Sequence, residues 1–206
     1  MKVLLINGSP HEHGNTDIAL QEVATGLQEF GIETEIFWIG NKGVRGCIGC
    51  GACAGGKGCV HRDVVNVAAE KCQEADGLIV GSPVHYAALS GDLTSFLDRL
   101  FYSSGRVLAH KPAAGIVCAR RAGTTAALDQ LNKYFTINQM PLVSSQYWNM
   151  VHGNAPGEAK LDLEGMQVMR VLGRNMAWLL RCIEAGKAAG ITLPEREHRA
   201  RTNFIR

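Results

Sequence analysis

Short runs of continuously apolar residues alternate along the chain with longer segments whose apolar positions recur every three or four residues. Residues 2–7 (KVLLIN) are apolar without alternation and stop at Gly8, the pattern of a strand buried on both faces of a parallel sheet. From Asn15 or Thr16 to Phe30, Leu20, Val23, Ala24 and Leu27 fall at helical spacing, and Gly31 closes the helix. Residues 33–39 form a second strand, 64–74 a helix, and 77–81 a third strand. A helix over 90–102 gathers Leu89, Leu93, Phe96, Leu97 and Leu100 on one face. A fourth strand at 113–118, a helix at 124–138 and a fifth strand at 141–147 follow. The long helix 161–189 turns Val168, Leu172, Met176, Leu179, Leu180 and Ile183 inward, and the charged tail 194–206 is expected to be extended.

Alternating strand and helix implies right-handed crossovers, hence an α/β fold with a parallel sheet and helices on both faces. Of the two common doubly wound orders, the five-stranded 2-1-3-4-5 arrangement fits the element count. Ligands in such folds bind beyond the carboxyl ends of the strands, where the order reverses between the first and third. That rule singles out the loops after residues 7, 81 and 118.

At 206 residues and roughly 150 per domain, one domain spanning 1–206 is expected, with a cysteine-rich loop at 40–61 and a C-terminal extension at 161–206. A formal net charge of +2 gives no case for nucleic acid or a membrane surface as partner. The opening apolar run breaks at Asn7-Gly8, too short for a signal peptide, so a cytoplasmic location is expected.

The three loops differ in chemistry. The first, GSPHEHGNT over 8–16, sits between a buried strand and a helix start, where converging backbone N–H groups bind anions; Ser9, Asn15 and Thr16 can add side-chain donors. Neither G-x-G-x-x-G after a strand nor G-x-x-x-x-G-K-[ST] occurs, so a cofactor monophosphate suits the loop better than a triphosphate. In the second, GSPVHYAALSGDL over 81–93, His85 and Tyr86 stand where an aromatic group can face a planar ring. The third, CARRAGTT over 118–125, brings Arg120 and Arg121 to the same crevice, favouring an anionic ligand or a reduced cofactor.

Seven cysteines and no export signal argue against a disulfide framework. Cys47, Cys50, Cys53 and Cys59 are spaced C-x2-C-x2-C-x5-C, and six glycines lie between 46 and 58. Thiolates two residues apart in such a turn can converge on one face of an iron-sulfur cubane. Zinc sites more often pair two short knuckles across a longer gap, and uncoordinated thiols are the third reading. Cys72, Cys118 and Cys182 are expected to be small core residues.

GSPHEHGNT, GSPVHYAALSG followed by FLDR (96–99), and ARRAGTTAALDQL together resemble the NADPH-dependent FMN reductase branch of the flavodoxin-like proteins, over about residues 1–150. The resemblance implies that Ser9, His11, Asn15 and Thr16 hold the FMN phosphate. It likewise implies that Ser82, Pro83, Val84, His85 and Tyr86 lie along the isoalloxazine ring, with Ala119, Arg120, Arg121 and Gly123 at its pyrimidine edge. Two departures stand out: His11-Glu12 replaces a common basic residue, and His85 stands where tyrosine is common. The cysteine pattern is similar to that of the iron-sulfur flavoproteins, which implies a [4Fe-4S] cluster on Cys47, Cys50, Cys53 and Cys59.

The function expected is that of an FMN-dependent NAD(P)H oxidoreductase passing electrons to a small-molecule or protein acceptor, with no side chain required as acid or base. Ferredoxin is the alternative donor to a nicotinamide. An electron carrier and a redox sensor with the cysteine loop as output are the rival classes. The long last helix and tail exceed what one such sheet needs, so a homodimer or homotetramer is expected.

Overall fold

The computed structural model describes residues 1–195, 197, 200 and 202–205. Five strands, β1 (Lys2–Asn7), β2 (Glu33–Trp38), β3 (Gly77–Pro83), β4 (Ala113–Ala119) and β5 (Met150–His152), form one sheet in the order β2-β1-β3-β4-β5. Every pairing is parallel, with Leu5 opposite Ile36 and Ile79, and Val80 opposite Gly115. The helices are α1 (Asn15–Gln28), α2 (Val64–Glu74), α3 (Gly91–Leu108), α4 (Thr124–Ile137) and α5 (Leu163–Ala188). The flavodoxin-like order expected from the element count is the order observed.

Successive strand side chains point to opposite faces, so each central strand feeds two cores. Leu4, Ile6, Leu78 and Val80 pack with Val65, Phe96, Leu97, Leu131 and Phe135 beneath α2, α3 and α4. Val3, Leu5 and Ile79 pack with Leu20, Val23, Leu27, Leu172 and Met176 beneath α1 and α5. Helices α1 and α5 cross on a pair of glycines: a methyl at Gly26 would strike the carbonyl of Arg170, and one at Gly173 that of Val23.

Four sequence expectations need correction. The fifth strand lies at Met150–His152 rather than 141–147. Leu142 does bridge Ala113 at the foot of β4, but the segment then leaves the sheet: Ser145 Oγ donates to the Val168 carbonyl, and the Asn149 side chain donates to Gly115 O. Helix α3 runs on to Leu108, through the polar Ser103–Arg106 stretch that reads as a terminus. Cys72 and Cys118 are buried as expected, but Cys182 is exposed. On α5, Leu179 and Ile183 are only half-buried, while Val168, Leu172, Met176 and Leu180 are inside. In the tail, residues 196, 198, 199, 201 and 206 lie outside the described residues; the others there are in neither helix nor strand. Among the described residues no helix is long and apolar enough to cross a membrane.

Candidate functional site

The carboxyl ends of β1, β3, β4 and β5 open onto one edge of the sheet. After β1 the chain makes a tight pocket of its own amides. Asn7, fully buried, donates from Nδ2 to the Glu12 carbonyl (2.9 Å) and accepts the Ser9 N–H at Oδ1 (3.0 Å). Trp38 Nε1, from the end of β2, donates to the Ser9 carbonyl (2.8 Å), and Ser9 Oγ accepts the His11 N–H (3.1 Å). Gly8 is required here, because a Cβ would sit 2.5–2.9 Å from the Leu93 side chain. Helix α1 then starts at Gly14, which has no side chain to cap it. The first-turn N–H groups therefore face the loop mouth with the helix dipole behind them, an arrangement suited to phosphate. Asp17 in that turn is held by Gln21 Nε2 (2.7 Å) and stands 3.6 Å from His13. Burial pushes its carboxyl up, against the opposing pull of His13 and Gln21.

The structure places the predicted phosphate residues unevenly. Ser9 and Thr16 are buried at the loop, and His11 is exposed. Asn15 is committed elsewhere: its Nδ2 donates to the Ala155 carbonyl (2.9 Å) and its Oδ1 accepts the Ala159 N–H (3.1 Å). Its side chain fastens the β5–α5 connection to α1, which leaves its backbone N–H for an anion.

The second loop is a tight turn. His85 and Ala88 exchange both backbone hydrogen bonds at 2.9 Å, and the two residues between them, Tyr86 (φ 51) and Ala87 (φ 58), are left-handed without being glycine. Each such residue costs about 1–2 kcal/mol, and such strain concentrates at ligand sites. It drives the Tyr86 ring fully into solvent above the sheet edge. Below, Val84 N–H donates to Cys118 O (2.9 Å), Ser82 Oγ accepts the Ser90 N–H (3.2 Å), and Ser90 Oγ donates to Gly8 O (2.8 Å), tying the second loop to the first. The third loop meets the second at Gly123 (φ 93), where a Cβ would lie 2.8 Å from Ala87 Cα and 3.1 Å from Val84 Cγ1. Arg120 and Arg121 are exposed at this junction, and Ala119, buried, accepts the Gly153 N–H (3.0 Å). Ser82, Pro83, Val84, His85, Tyr86 and Gly123 are thus brought together at the same edge as Ser9 and Thr16.

The cysteines form a second locus in the connection between β2 and α2. Cys47, Cys50, Cys53 and Cys59 line one cavity with His61, Arg99 and Tyr102. Cys47 and Cys50 are exposed, Cys53 and Cys59 half-buried, and a short 3-10 helix spans Ala52–Gly55. Cys59 Sγ accepts a hydrogen bond from Arg99 Nε (3.2 Å). A single zinc ion with Zn–S bonds of about 2.3 Å needs sulfurs about 3.8 Å apart. Among the described residues no group of three or more His, Cys, Asp or Glu side chains is placed to hold a metal ion.

Residues 1–155 match the family described as NADPH-dependent FMN reductase. The chain belongs to that family. An iron-sulfur flavoprotein of Methanocaldococcus jannaschii is 33% identical over 192 residues, covering 89% of this chain and all of that one. Among solved structures, RosB with a bound 8-demethyl-8-formylriboflavin-5'-phosphate intermediate superposes with a TM-score of 0.68 at 16% identity, over 100% of this chain and 94% of that one. A flavodoxin from the Archaea gives 0.60 at 14% identity, over 88% of this chain and 99% of that one. This member of the FMN reductase family is an FMN-binding flavoprotein of the oxidoreductase type.

In this family member the β5–α5 connection completes the sheet edge, and sequence reasoning passed over it. His152, the last residue of β5, donates its N–H to Asp162 Oδ2 (2.7 Å), and its Nε2 lies 3.2 Å from the Arg121 carbonyl. Asp162 also caps α5 through Gly165 N–H (2.9 Å). The signal was available: a histidine at the carboxyl end of a strand in a fold whose ligands bind there. The misplaced fifth strand hid it. At the cysteine locus the donor set, four cysteines, is chemically of the kind that can hold an iron-sulfur group. Four sulfurs share one cavity, and His61, which also lines it, has a buried Nε2 without a hydrogen-bond partner. Cys72 and Cys118 are a different case, since burial pushes their thiols up to about 12 and about 11, which leaves them protonated and inert.

Proposed function

We propose that this protein is an FMN-dependent NAD(P)H oxidoreductase that exchanges electrons with a second partner through a [4Fe-4S] cluster on Cys47, Cys50, Cys53 and Cys59. The observation that carries the reading is that all four cysteines line one cavity beside α3, whose amino end is bound into the loops of the sheet edge. FMN supplies the exchange between two-electron and one-electron chemistry, and a cluster supplies single-electron steps.

The chain's own part is to bind and orient. The open amides of α1 and Ser9 receive the phosphate, the strained Tyr86-Ala87 turn and Gly123 shape the ring's bed, and Arg120 sets positive charge at its edge. Cytoplasmic residence and a homodimer or homotetramer belong to the same proposal. The exposed Leu161, Leu163 and Trp178 near and along α5 favour such an assembly.

Anaerobic purification followed by absorption spectroscopy, flavin identification, and iron and sulfide analysis tests the cofactors together. NADPH and NADH oxidation with a quinone or free flavin as acceptor tests the reaction. Stoichiometric FMN with four irons and turnover of either nicotinamide is expected. FMN without iron removes the cluster, and reduction by ferredoxin alone removes the nicotinamide. A redox-sensing role is favoured by the exposure of Cys47 and Cys50; loss of a cellular response on replacing either, with flavin turnover intact, would establish it instead.

A further inference from the structure

The cysteine loop is poorly held by packing. Its glycines at 49, 51, 55 and 56 have nothing within 4 Å of an added Cβ, and Gly49, Gly51, Gly56 and Gly58 adopt positive φ. Ordering each residue of such a segment costs about 1–2 kcal/mol of backbone entropy, so something outside the loop has to fix it.

Arg99, on α3, is 2% exposed and is the largest fully buried side chain among the described residues. A guanidinium has five N–H donors, and here all five are engaged. Nε donates to Cys59 Sγ (3.2 Å). Nη1 donates to the Arg45 carbonyl (3.1 Å) and Asp63 Oδ2 (2.8 Å), and Nη2 to the His61 carbonyl (3.0 Å) and Asp63 Oδ1 (2.8 Å). Arg45 precedes the first cysteine and His61 follows the last, so one planar group grips both arms of the loop. Asp63 is the N-cap of α2, accepting the Val65 N–H (3.1 Å). With the Asp63 side chain 33% exposed, the ion pair by itself adds little stability. Its value here is in geometry.

We propose that Arg99 is the positioning residue of the four-cysteine site: it clamps the two arms of the loop so that the cavity exists before anything is bound, and it sets a fixed positive charge against the sulfur of Cys59 alone. The clamp is a property of the bare chain. The effect on an iron-sulfur group rests on the proposed function. A charge-assisted donor on one ligand sulfur favours the more negative, reduced form of that group, because cluster potentials follow hydrogen bonds to sulfur and net charge. The other three sulfurs, two of them exposed, are left for contact with a partner.

Two variants of the full chain test this. Arg99→Lys keeps a cation opposite Asp63 but offers three donors on a point charge instead of a planar fork. Arg99→Gln with Asp63→Asn removes both charges and keeps a residue able to cap α2. In cluster-free, FMN-loaded protein, trypsin cleavage after Arg45, whose own carbonyl is held by Arg99, should speed up at least tenfold in both variants relative to cleavage after exposed Lys57. In anaerobically reconstituted protein the cluster's midpoint potential should fall in both variants, because each loses the Nε–H donor to Cys59 Sγ while the net charge stays that of the wild type. A tenfold loss of preference for the reduced form is about 59 mV for one electron. FMN content reports the fold, and Arg99→Lys is read if the neutral pair unfolds. Unchanged relative cleavage at Arg45 overturns the clamp. Faster cleavage with an unchanged potential overturns the effect of the Arg99 donor on the cluster. Wild-type protein without iron overturns the proposed cluster, while the proteolysis still decides the clamp.

Discussion

Gly123→Ala is the sharpest single perturbation of the junction between the second and third loops. Two costs add. At φ 93 an alanine leaves the allowed regions for an L residue, a cost of about 1–2 kcal/mol. The new methyl also lies 2.8 Å from Ala87 Cα and 3.0 Å from Ala87 Cβ. Ala87 is itself left-handed within a two-residue turn, so it cannot step back cheaply, and overpacking of this kind costs about 1–3 kcal/mol. Gly31→Ala separates the two terms: Gly31 has φ 71 with nothing within 4 Å of its Cβ position, and it lies in the α1–β2 turn at the far edge of the sheet. Thermal unfolding of the flavin-free protein should show both variants destabilised. Gly123→Ala should fall further by about 2–4 °C per additional kcal/mol for a chain of this size. Because the clash parts the second and third loops, FMN affinity by fluorescence titration should drop about tenfold in Gly123→Ala, equivalent to about 1.4 kcal/mol, and not in Gly31→Ala. Equal unfolding temperatures and equal FMN affinities in the two would refute the contact between the loops as the reason for glycine.

Three further outcomes follow from named groups. Replacing any one of Cys47, Cys50, Cys53 or Cys59 by alanine should abolish iron and sulfide binding by chemical analysis, whereas Cys72→Ala, Cys118→Ala and Cys182→Ala should retain it. Asn15→Ala, which loses two hydrogen bonds to the β5–α5 connection, should cost about 1–2 kcal/mol in urea unfolding and expose Lys160 to faster tryptic cleavage. Stability should decline from pH 9 to pH 11. The Cys72 and Cys118 thiols sit at about 12 and about 11 in the folded chain against an ordinary 9.0. The native state therefore holds protons that the unfolded state releases, at up to about 1.4 kcal/mol per pH unit for each group. Urea titrations at stepped pH should show the slope, shallower in Cys72→Ala.

Periodicity was enough for most of the fold. The unbroken apolar runs at 2–7 and 113–118 could only be strands covered on both faces, and the faces of α1 and α3 came straight from three-and-four spacing. The fifth strand was not legible because its pairing is split: Leu142 touches β4, then an inserted asparagine side chain takes the Gly115 carbonyl that a strand amide would otherwise have used. With the strand misplaced, His152 and Asp162 went unseen. Asn15 shows the opposite limit. Its residue type and position suit a phosphate donor, but which partner a side chain chooses depends on a segment 140 residues away, and no local pattern carries that.

The same distinction explains why the cysteine spacing was readable and its support was not. Four thiols within thirteen residues announce a site, but a glycine-rich loop does not say what holds it. The answer lies along one face of α3. Ser90, at its amino cap, reaches the loop after β1 through Gly8 O; Asp92 accepts the Val44 N–H (3.1 Å); Arg99 takes the Arg45 carbonyl. Asp92 and Arg99 are seven residues apart, two helical turns, so they share a face, and the first arm of the cysteine loop is laid along it. At 1.5 Å per residue the cap and the clamp are about 13 Å apart along the helix. One helix therefore sets the separation of the loop after β1 from the cysteine cavity, and under the proposed function a change that bends α3 between Ser90 and Arg99 would alter electron exchange between the two loci without touching either.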